Sequence, residues 1–289
     1  MKRRFRFHQV NVFADHPLRG NPLAVVHGAE GLDDATMAAF ARWTQLSETT
    51  YLLPTTRAEA DYRVRIFTPF GELPFAGHPT LGRCWAWLAA GGVPRDAAVV
   101  VQECGEALAP MLVRVRRDNP HHVPIQGARL AFAAPPLCRT GPLDAALLQQ
   151  ITQALGLAEG EIVRHQWVDN GPGWCAVMLP SAARVLALRP DAVALGELNL
   201  GVLGPHPAGH EAAFEVRAFF GGGIEDPVTG SLNASLAQWL IGAGLAPARY
   251  IVAQGTVLQR AGRVHLQAEG ATVWVGGDVS PCIEGTVEL

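Results

Sequence analysis

The sequence predicts an α+β fold of two pseudo-symmetric halves, each a curved, mostly antiparallel sheet or barrel wrapped around a central helix. Three observations carry this expectation. The run from Arg65-Ile66-Phe67 to Trp87-Leu88 is echoed by the run from Arg217-Ala218-Phe219 to Trp239-Leu240. Phe67 maps to Phe219 and Trp87 to Trp239 at an offset of 152, and His78 maps to Ser231 at 153, so one residue is inserted between landmarks. Each copy holds an apolar helix almost without charge: 80–90 carries only Arg83, and 231–241 carries none. A helix apolar all round is a buried one. Short strand-like segments flank both helices.

The elements follow in order. Phe5 to Phe13 alternates and reads as a strand, and Asp15 to Pro22 is turn chemistry. Leu23–Val26 is a short strand, and Asp33 or Asp34 caps a helix running through Met37, Phe40 and Trp43. Leu46 to Leu53 reads as a strand ended by Pro54, with Glu48 at the helix-to-strand junction. Tyr62–Phe67 is a strand, and Thr80–Ala90 a helix stopped by Gly91-Gly92. Strands are expected at Ala97–Gln102, Leu112–Val115 and Arg129–Ala133, with a helix over Leu143–Leu155 stopped by Gly156. Trp174–Leu179 is a strand, and Leu186–Ala194 combines a turn at Arg189-Pro190 with a short helix. Phe214–Phe220 is the strand that opens the second copy, and Gly230–Ile241 is its helix. Val257–Arg260 and Arg263–Gln267 are expected to form a hairpin turning at Ala261-Gly262, followed by a strand at Thr272–Gly276. The halves are expected at 1–120 and 121–289, with the last strand free to return to the first half and a linker at 117–128, rich in Pro, His and Asn.

Composition narrows the function. Of 289 residues 49% are apolar and 17% charged, which excludes a disordered chain. A net charge of −3 leaves no footprint for nucleic acid. The basic start Met1 to Phe7 runs into His8-Gln9, so no signal peptide is expected, and no apolar window is long enough for a membrane span. The five cysteines are widely spaced with no C-x-x-C pair, which reads as reduced thiols in a cytoplasmic protein. His121-His122, beside Pro120 and Pro124, read as an exposed turn and not as metal ligands.

The candidate site lies at the two helix starts, Gly77-His78-Pro79-Thr80 and Thr229-Gly230-Ser231. Helix N-termini offer free N–H groups and partial positive charge, which suits a carboxylate. Gly77 and Gly230 let a ligand approach the backbone, with Thr80, Thr229 and Ser231 beside them. Glu48, His78 and Asp226 are the titratable groups this layout can gather in a cleft between the halves. A carboxyl group walled by apolar side chains can deliver or remove a proton near neutral pH. Each also has a plain structural reading: Glu48 as a surface residue, His78 as a turn hydrogen bond, Asp226 as a distant helix cap.

Longer motifs join these residues: Val10-Asn11-Val12-Phe13, Gly20 to Val26, Leu46-Ser47-Glu48-Thr49-Thr50, Phe67-Thr68-Pro69, Glu72 to Gly82, Glu225 to Asn233, and Gln254-Gly255. In this order, over nearly the whole chain, they resemble the PhzF family of phenazine-biosynthesis isomerases, which shares its fold with diaminopimelate epimerase. The resemblance implies that Glu48 shuttles the proton, and that His78, Asp226 and Ser231 position a small carboxylated, cyclic substrate without metal or other cofactor. It implies isomerisation of the trans-2,3-dihydro-3-hydroxyanthranilate type, a proton leaving C3 and returning at C1. The related epimerases use two cysteines, and neither loop here holds a thiol; Cys84 lies too far into its helix. A non-catalytic binding protein on the same fold, or a thiol-free epimerase, remains as an alternative. The partner expected is a small-molecule carboxylate, with no nucleic acid or membrane, and a homodimer is compatible with this reading.

Overall fold

The computed structural model describes residues 3–105, 111–117 and 129–289. Apart from Arg117, the expected linker lies outside the described residues, as do His121 and His122. The chain divides into two compact units, residues 1–133 with 276–289, and residues 134–275.

The first unit runs β1 (Arg4–Val12), β2 (Asn21–Val26), α1 (Asp34–Thr44), β3 (Thr49–Leu53), β4 (Tyr62–Phe67), β5 (Glu72–Leu73), α2 (Gly77–Ala89), β6 (Val99–Cys104), β7 (Met111–Arg117) and β8 (Leu130–Ala133). The second runs α3 (Ala145–Leu155), β9 (Arg164–Trp167), β10 (Trp174–Met178), α4 (Ala182–Ala187), α5 (Ala192–Leu195), β11 (Asn199–Pro205), β12 (Phe214–Phe220), β13 (Ile224–Asp226), α6 (Gly230–Gly242), β14 (Arg249–Gln254), β15 (Gly262–Glu269) and β16 (Thr272–Gly277). The closing strand β17 (Val279–Glu288) pairs antiparallel with β1, and Arg3 and Leu289 exchange backbone hydrogen bonds of 2.9 and 3.0 Å. No helix among the described residues is long and apolar enough to cross a membrane.

The two units repeat one topology. In the first, β1 is antiparallel to β2, β2 parallel to β3, and β3 antiparallel to β4; β4 pairs antiparallel with β5 and parallel with β6, and β6 antiparallel with β7. In the second, β9, β10, β11, β12, β13, β14 and β15 follow the same alternation. The helix between the hairpin and the next parallel strand is α2 in one unit and α6 in the other, each of 13 residues beginning at Gly. In α2 every residue but Trp87 and Ala89 is buried. The inserted residue lies in the second hairpin: Phe67 pairs with Glu72, whereas Phe219 pairs with Glu225 after a 3₁₀ turn at Gly221–Gly223. Counted from the helix starts, the offset is therefore that of His78 to Ser231, and Trp87 and Trp239 are not equivalent.

The other sheet face is covered by local helices. In the first unit Met37, Phe40 and Ala41 of α1 pack with Phe5, Val26, Tyr51 and Phe67. In the second, Ile151 and Leu155 of α3 pack with Val185, Leu195, Val177 and Val202. Asp33, Asp144, Ser181 and Asp191 each accept a first-turn N–H, capping α1, α3, α4 and α5. A cap of this kind contributes about 1 kcal/mol.

Three expectations are corrected and one strand is added. Helix α2 starts at Gly77, not Thr80, because Pro79 falls in the first turn, where its missing N–H has no intrahelical role. Thr256–Leu258 is a 3₁₀ turn between left-handed Gly255 and Gln259, so no hairpin turns at Ala261-Gly262; β15 pairs instead with β14. Leu186 lies in the last turn of α4, which runs from Ala182 to Ala187, and is not the start of the next segment. Strand β17 was hidden by Pro281 and Gly285, residues that weaken a strand reading, and a register shift between Gln9 and Val10 accommodates the proline.

Gly82 lets α2 sit against β1 and β2, since a Cβ there would lie 2.7 Å from Leu23 Cδ2 and 2.8 Å from Val12 Cγ2. Gly82→Val should destabilise the protein by about 1–3 kcal/mol through overpacking, measured by urea unfolding. An unchanged midpoint would contradict this seating of the helix.

Candidate active site

Unlike α1, α3, α4 and α5, helices α2 and α6 have no side-chain cap: their N-cap residues are Ala76 and Thr229, and neither side chain bonds the first turn. Each start is aimed by the same clasp. Arg65 grips Glu72 with bonds of 2.7 and 2.6 Å and lies over the Phe67 ring at 5.0 Å. Arg217 grips Glu225 at 2.8 and 2.7 Å and lies over Phe219 at 5.1 Å. Such two-pronged pairs fix orientation as well as distance. The hairpin therefore delivers its chain to the helix start in a set direction.

Nearly two turns into α2 lies Arg83, fully buried. Its Nε donates to Gln102 Oε1 at 2.7 Å and its Nη2 to Thr80 Oγ1 at 3.1 Å. Among the described residues no carboxylate pairs with it, and burial lowers its pKa. Thr80 Oγ1 donates in turn to the Ala76 carbonyl at 2.8 Å, so this hydroxyl is engaged inside the helix start. The cation adds to the positive end of the helix in a poorly screened interior.

Glu48 precedes β3, with its side chain 13% exposed, and its Oε2 lies 3.2 Å from His78 Nε2. His78 is buried in the first turn of α2. Its pKa is lowered to about 3, chiefly by burial; a ring N–H donated to the Pro22 carbonyl opposes this, and the Arg83 charge adds to it. The imidazole is therefore neutral, and its contact with Glu48 joins a neutral ring to a carboxyl group within reach of proton transfer. Asn21 Nδ2 lies 3.4 Å from His78 Nδ1. The Asn21-Pro22 segment is held by Asn11, which accepts from Gly20 N at 2.7 Å and donates to the His16 carbonyl at 3.0 Å. Gly20 is required there, because a Cβ would lie 2.0 Å from the Val12 carbonyl oxygen.

In the second unit Asp226 ends β13 and is 7% exposed. Its Oδ2 accepts from Thr229 Oγ1 at 2.5 Å. Asn233 Nδ2 donates to the Thr229 carbonyl at 2.8 Å and to Gln254 Oε1 at 2.7 Å. Gly230 is the buried first residue of α6. Ser231 follows, its hydroxyl accepting from Trp174 Nε1 at 3.1 Å and its carbonyl from Asn170 Nδ2 at 3.0 Å.

The structure thus joins Glu48 to His78 beside Gly77 and Thr80 in one unit, and Asp226 to Thr229 beside Gly230 and Ser231 in the other. Chemically, one set offers a carboxyl–imidazole pair for moving a proton, and the other a buried carboxyl group on a tightly tied turn. Each set adjoins uncapped N–H groups. Asn21, Arg83, Gln102 and Gln254 support these groups and were not foreseen individually. Asn21 and Gln254 stand inside motifs, whereas a single charge in an apolar helix was the only signal for Arg83. Among the described residues no cluster of three or more His, Cys, Asp or Glu side chains could hold a metal ion.

Residues 10–285 match the family model described as phenazine biosynthesis-like protein. The trans-2,3-dihydro-3-hydroxyanthranilate isomerase of Pseudomonas aeruginosa is 32% identical over 98% of this chain and 99% of its own. Antisense-enhancing sequence 1 of Schizosaccharomyces pombe is 30% identical over 96% of this chain and 97% of its own. Among solved structures, one described as a predicted epimerase from Pseudomonas aeruginosa aligns with a TM-score of 0.78 at 28% identity, covering 98% of this chain and 99% of that one.

The buried neutral imidazole has a measurable consequence. The folded pKa of His78 lies below its unfolded value of 6.5, so the unfolded chain takes up the proton first. Stability should fall as pH drops from about 6.5 toward 3. His78→Asn should remove that part of the slope, up to about 1.4 kcal/mol per pH unit, in urea unfolding at several pH values. Parallel slopes for the two proteins would contradict the assignment.

Proposed function

The chain belongs to the phenazine biosynthesis-like protein family, and on that premise we propose that it is a cofactor-independent isomerase that moves a proton on a small carboxylated, cyclic metabolite. The 3.2 Å approach of Glu48 to a neutral, buried His78, beside an uncapped helix start, is the observation that carries the reading. In it, the substrate binds at a helix start. Its carboxylate lies on the N–H groups at Gly77-His78 or Gly230-Ser231, where the helix dipole favours an anion. Glu48, as carboxylate, takes a proton from carbon, and the electron pair left behind delocalises over the ring. The same carboxyl group, now an acid, returns that proton at another ring carbon. No net charge or electron is gained. His78 lies beside Glu48 without carrying a positive charge that would compete for the proton. A substrate of the trans-2,3-dihydro-3-hydroxyanthranilate type is the first to test, because relatives about a third identical bear that name.

A second reading, a thiol-free epimerase, draws on the relative of known structure described as a predicted epimerase. It differs in returning the proton to the carbon it left. Product analysis after reaction in heavy water separates the two, since deuterium then sits on a different carbon.

The decisive variant is Glu48→Gln, which keeps the shape but cannot carry a proton. Deuterium uptake into substrate should fall by roughly 10²–10⁴-fold, the usual share of a general acid/base, with little change in binding of a substrate analogue. His78→Ala should lose both rate and binding. A Glu48→Gln protein exchanging at the wild-type rate would move the role to Asp226.

A further inference from the structure

Gln254 ends β14, is 1% exposed and bonds the turn that carries Asp226 and Thr229. Its Oε1 faces the backbone N–H of Thr229 at 3.1 Å. A backbone N–H can only donate, so that atom of the amide is the oxygen, and the opposite atom is the NH₂ group. Nε2 donates to Thr229 Oγ1 at 3.0 Å and to the Asp226 carbonyl at 3.2 Å. A hydroxyl group that accepts there must send its one hydrogen elsewhere, and Asp226 Oδ2 lies at 2.5 Å. The polarity therefore runs one way, from the Gln254 amide through the Thr229 hydroxyl to the Asp226 carboxyl. The turn that carries it is pressed onto the sheet. A Cβ at Gly255 would lie 2.5 Å from the Pro227 carbonyl oxygen, and one at Gly262 would lie 2.4 Å from Val228 Cγ2.

We propose that Gln254 is a positioning residue that, acting through Thr229, holds Asp226 as a hydrogen-bond acceptor, so that this carboxyl group takes a donor group of the substrate, an amine or hydroxyl. This rests on the isomerase reading above. It also separates that reading from the epimerase one, which calls for a second proton-carrying group.

Three single variants and one double variant test it. Gln254→Glu keeps the size and the acceptor for Thr229 N–H but loses the NH₂ donor, so the Thr229 hydroxyl turns toward the new carboxylate. Thr229→Val removes the hydroxyl, and Thr229→Ser keeps it. With trans-2,3-dihydro-3-hydroxyanthranilate, Gln254→Glu and Thr229→Val should each lower kcat/KM by roughly 10- to 100-fold, the worth of a hydrogen bond to a charged group. Thr229→Ser should restore the rate to within a few-fold. The double variant should be no worse than Thr229→Val, because Gln254 acts through that hydroxyl. Losses that multiply in the double variant, or a Thr229→Val enzyme at full rate, would overturn the proposal. If Gln254→Glu fails to fold, the Thr229 pair decides. Neutron diffraction on deuterated wild-type crystals reads the relay without any assay: the Thr229 hydroxyl deuterium should point at Asp226 Oδ2, and one pointing at Gln254 would refute the proposal. If the wild type turns over no ring carboxylate, the functional reading fails while the neutron map still settles the polarity.

Discussion

Burying a helix on all sides removes the water that would otherwise satisfy its first N–H groups. The chain meets this constraint twice, in α2 and α6, and at neither start does a side chain cap the turn, although Asp33, Asp144, Ser181 and Asp191 cap α1, α3, α4 and α5. The first-turn N–H groups, not capped by their N-cap side chains, make each start a place suited to an anion. The rest of the arrangement keeps those starts in shape: the Arg–Glu clasp on the incoming hairpin, the glycine at the first helical position, and a buried polar anchor beneath the turn.

The anchors differ between the units although the topology does not. Under α2 the work falls to Arg83, which binds Thr80 and Gln102 and brings a charge with it. Under α6 it falls to Gln254 and Asn233, which are neutral and spread their bonds over Thr229 and Asp226. The charged anchor sits beneath the histidine and helps keep that ring neutral. The neutral anchor sits beneath the carboxyl group and orders its hydrogen bonds. A duplicated frame has thus acquired two chemically distinct helix starts.

Much of this was legible in the sequence. The repeat, the strand Phe214–Phe220 and the two apolar helices are written in periodicity and spacing, because burial on one face or all faces leaves a direct mark on residue choice. Glu48 and His78 were recognisable as chemistry, and the structure brings them together. What was not legible depends on partners remote in sequence. Arg83 looks like a misplaced charge until Gln102 and Thr80 surround it. The tryptophan match between copies was a coincidence of one inserted residue in a turn, and the true equivalence emerged only from strand pairing. Strand β17 carries Pro281 and Gly285, and its strand character comes from β1, at the far end of the chain.

That last pairing bears on how the polypeptide reaches its native state. The second unit is one continuous stretch, residues 134–275, whereas the first needs residues 276–289 to lie along β1. During synthesis the later-made unit can close on itself, while the earlier-made unit waits with a flank of β1 unpaired until the last segment has been made. Contacts that span almost the whole sequence are slow to form, because the intervening chain must first be brought together. An exposed strand flank during that wait invites pairing with a neighbouring chain. The unit made later can therefore close first, and loss of residues 276–289 would strip β1 of a partner in the half of the molecule that carries Glu48 and His78 while leaving the other half able to form.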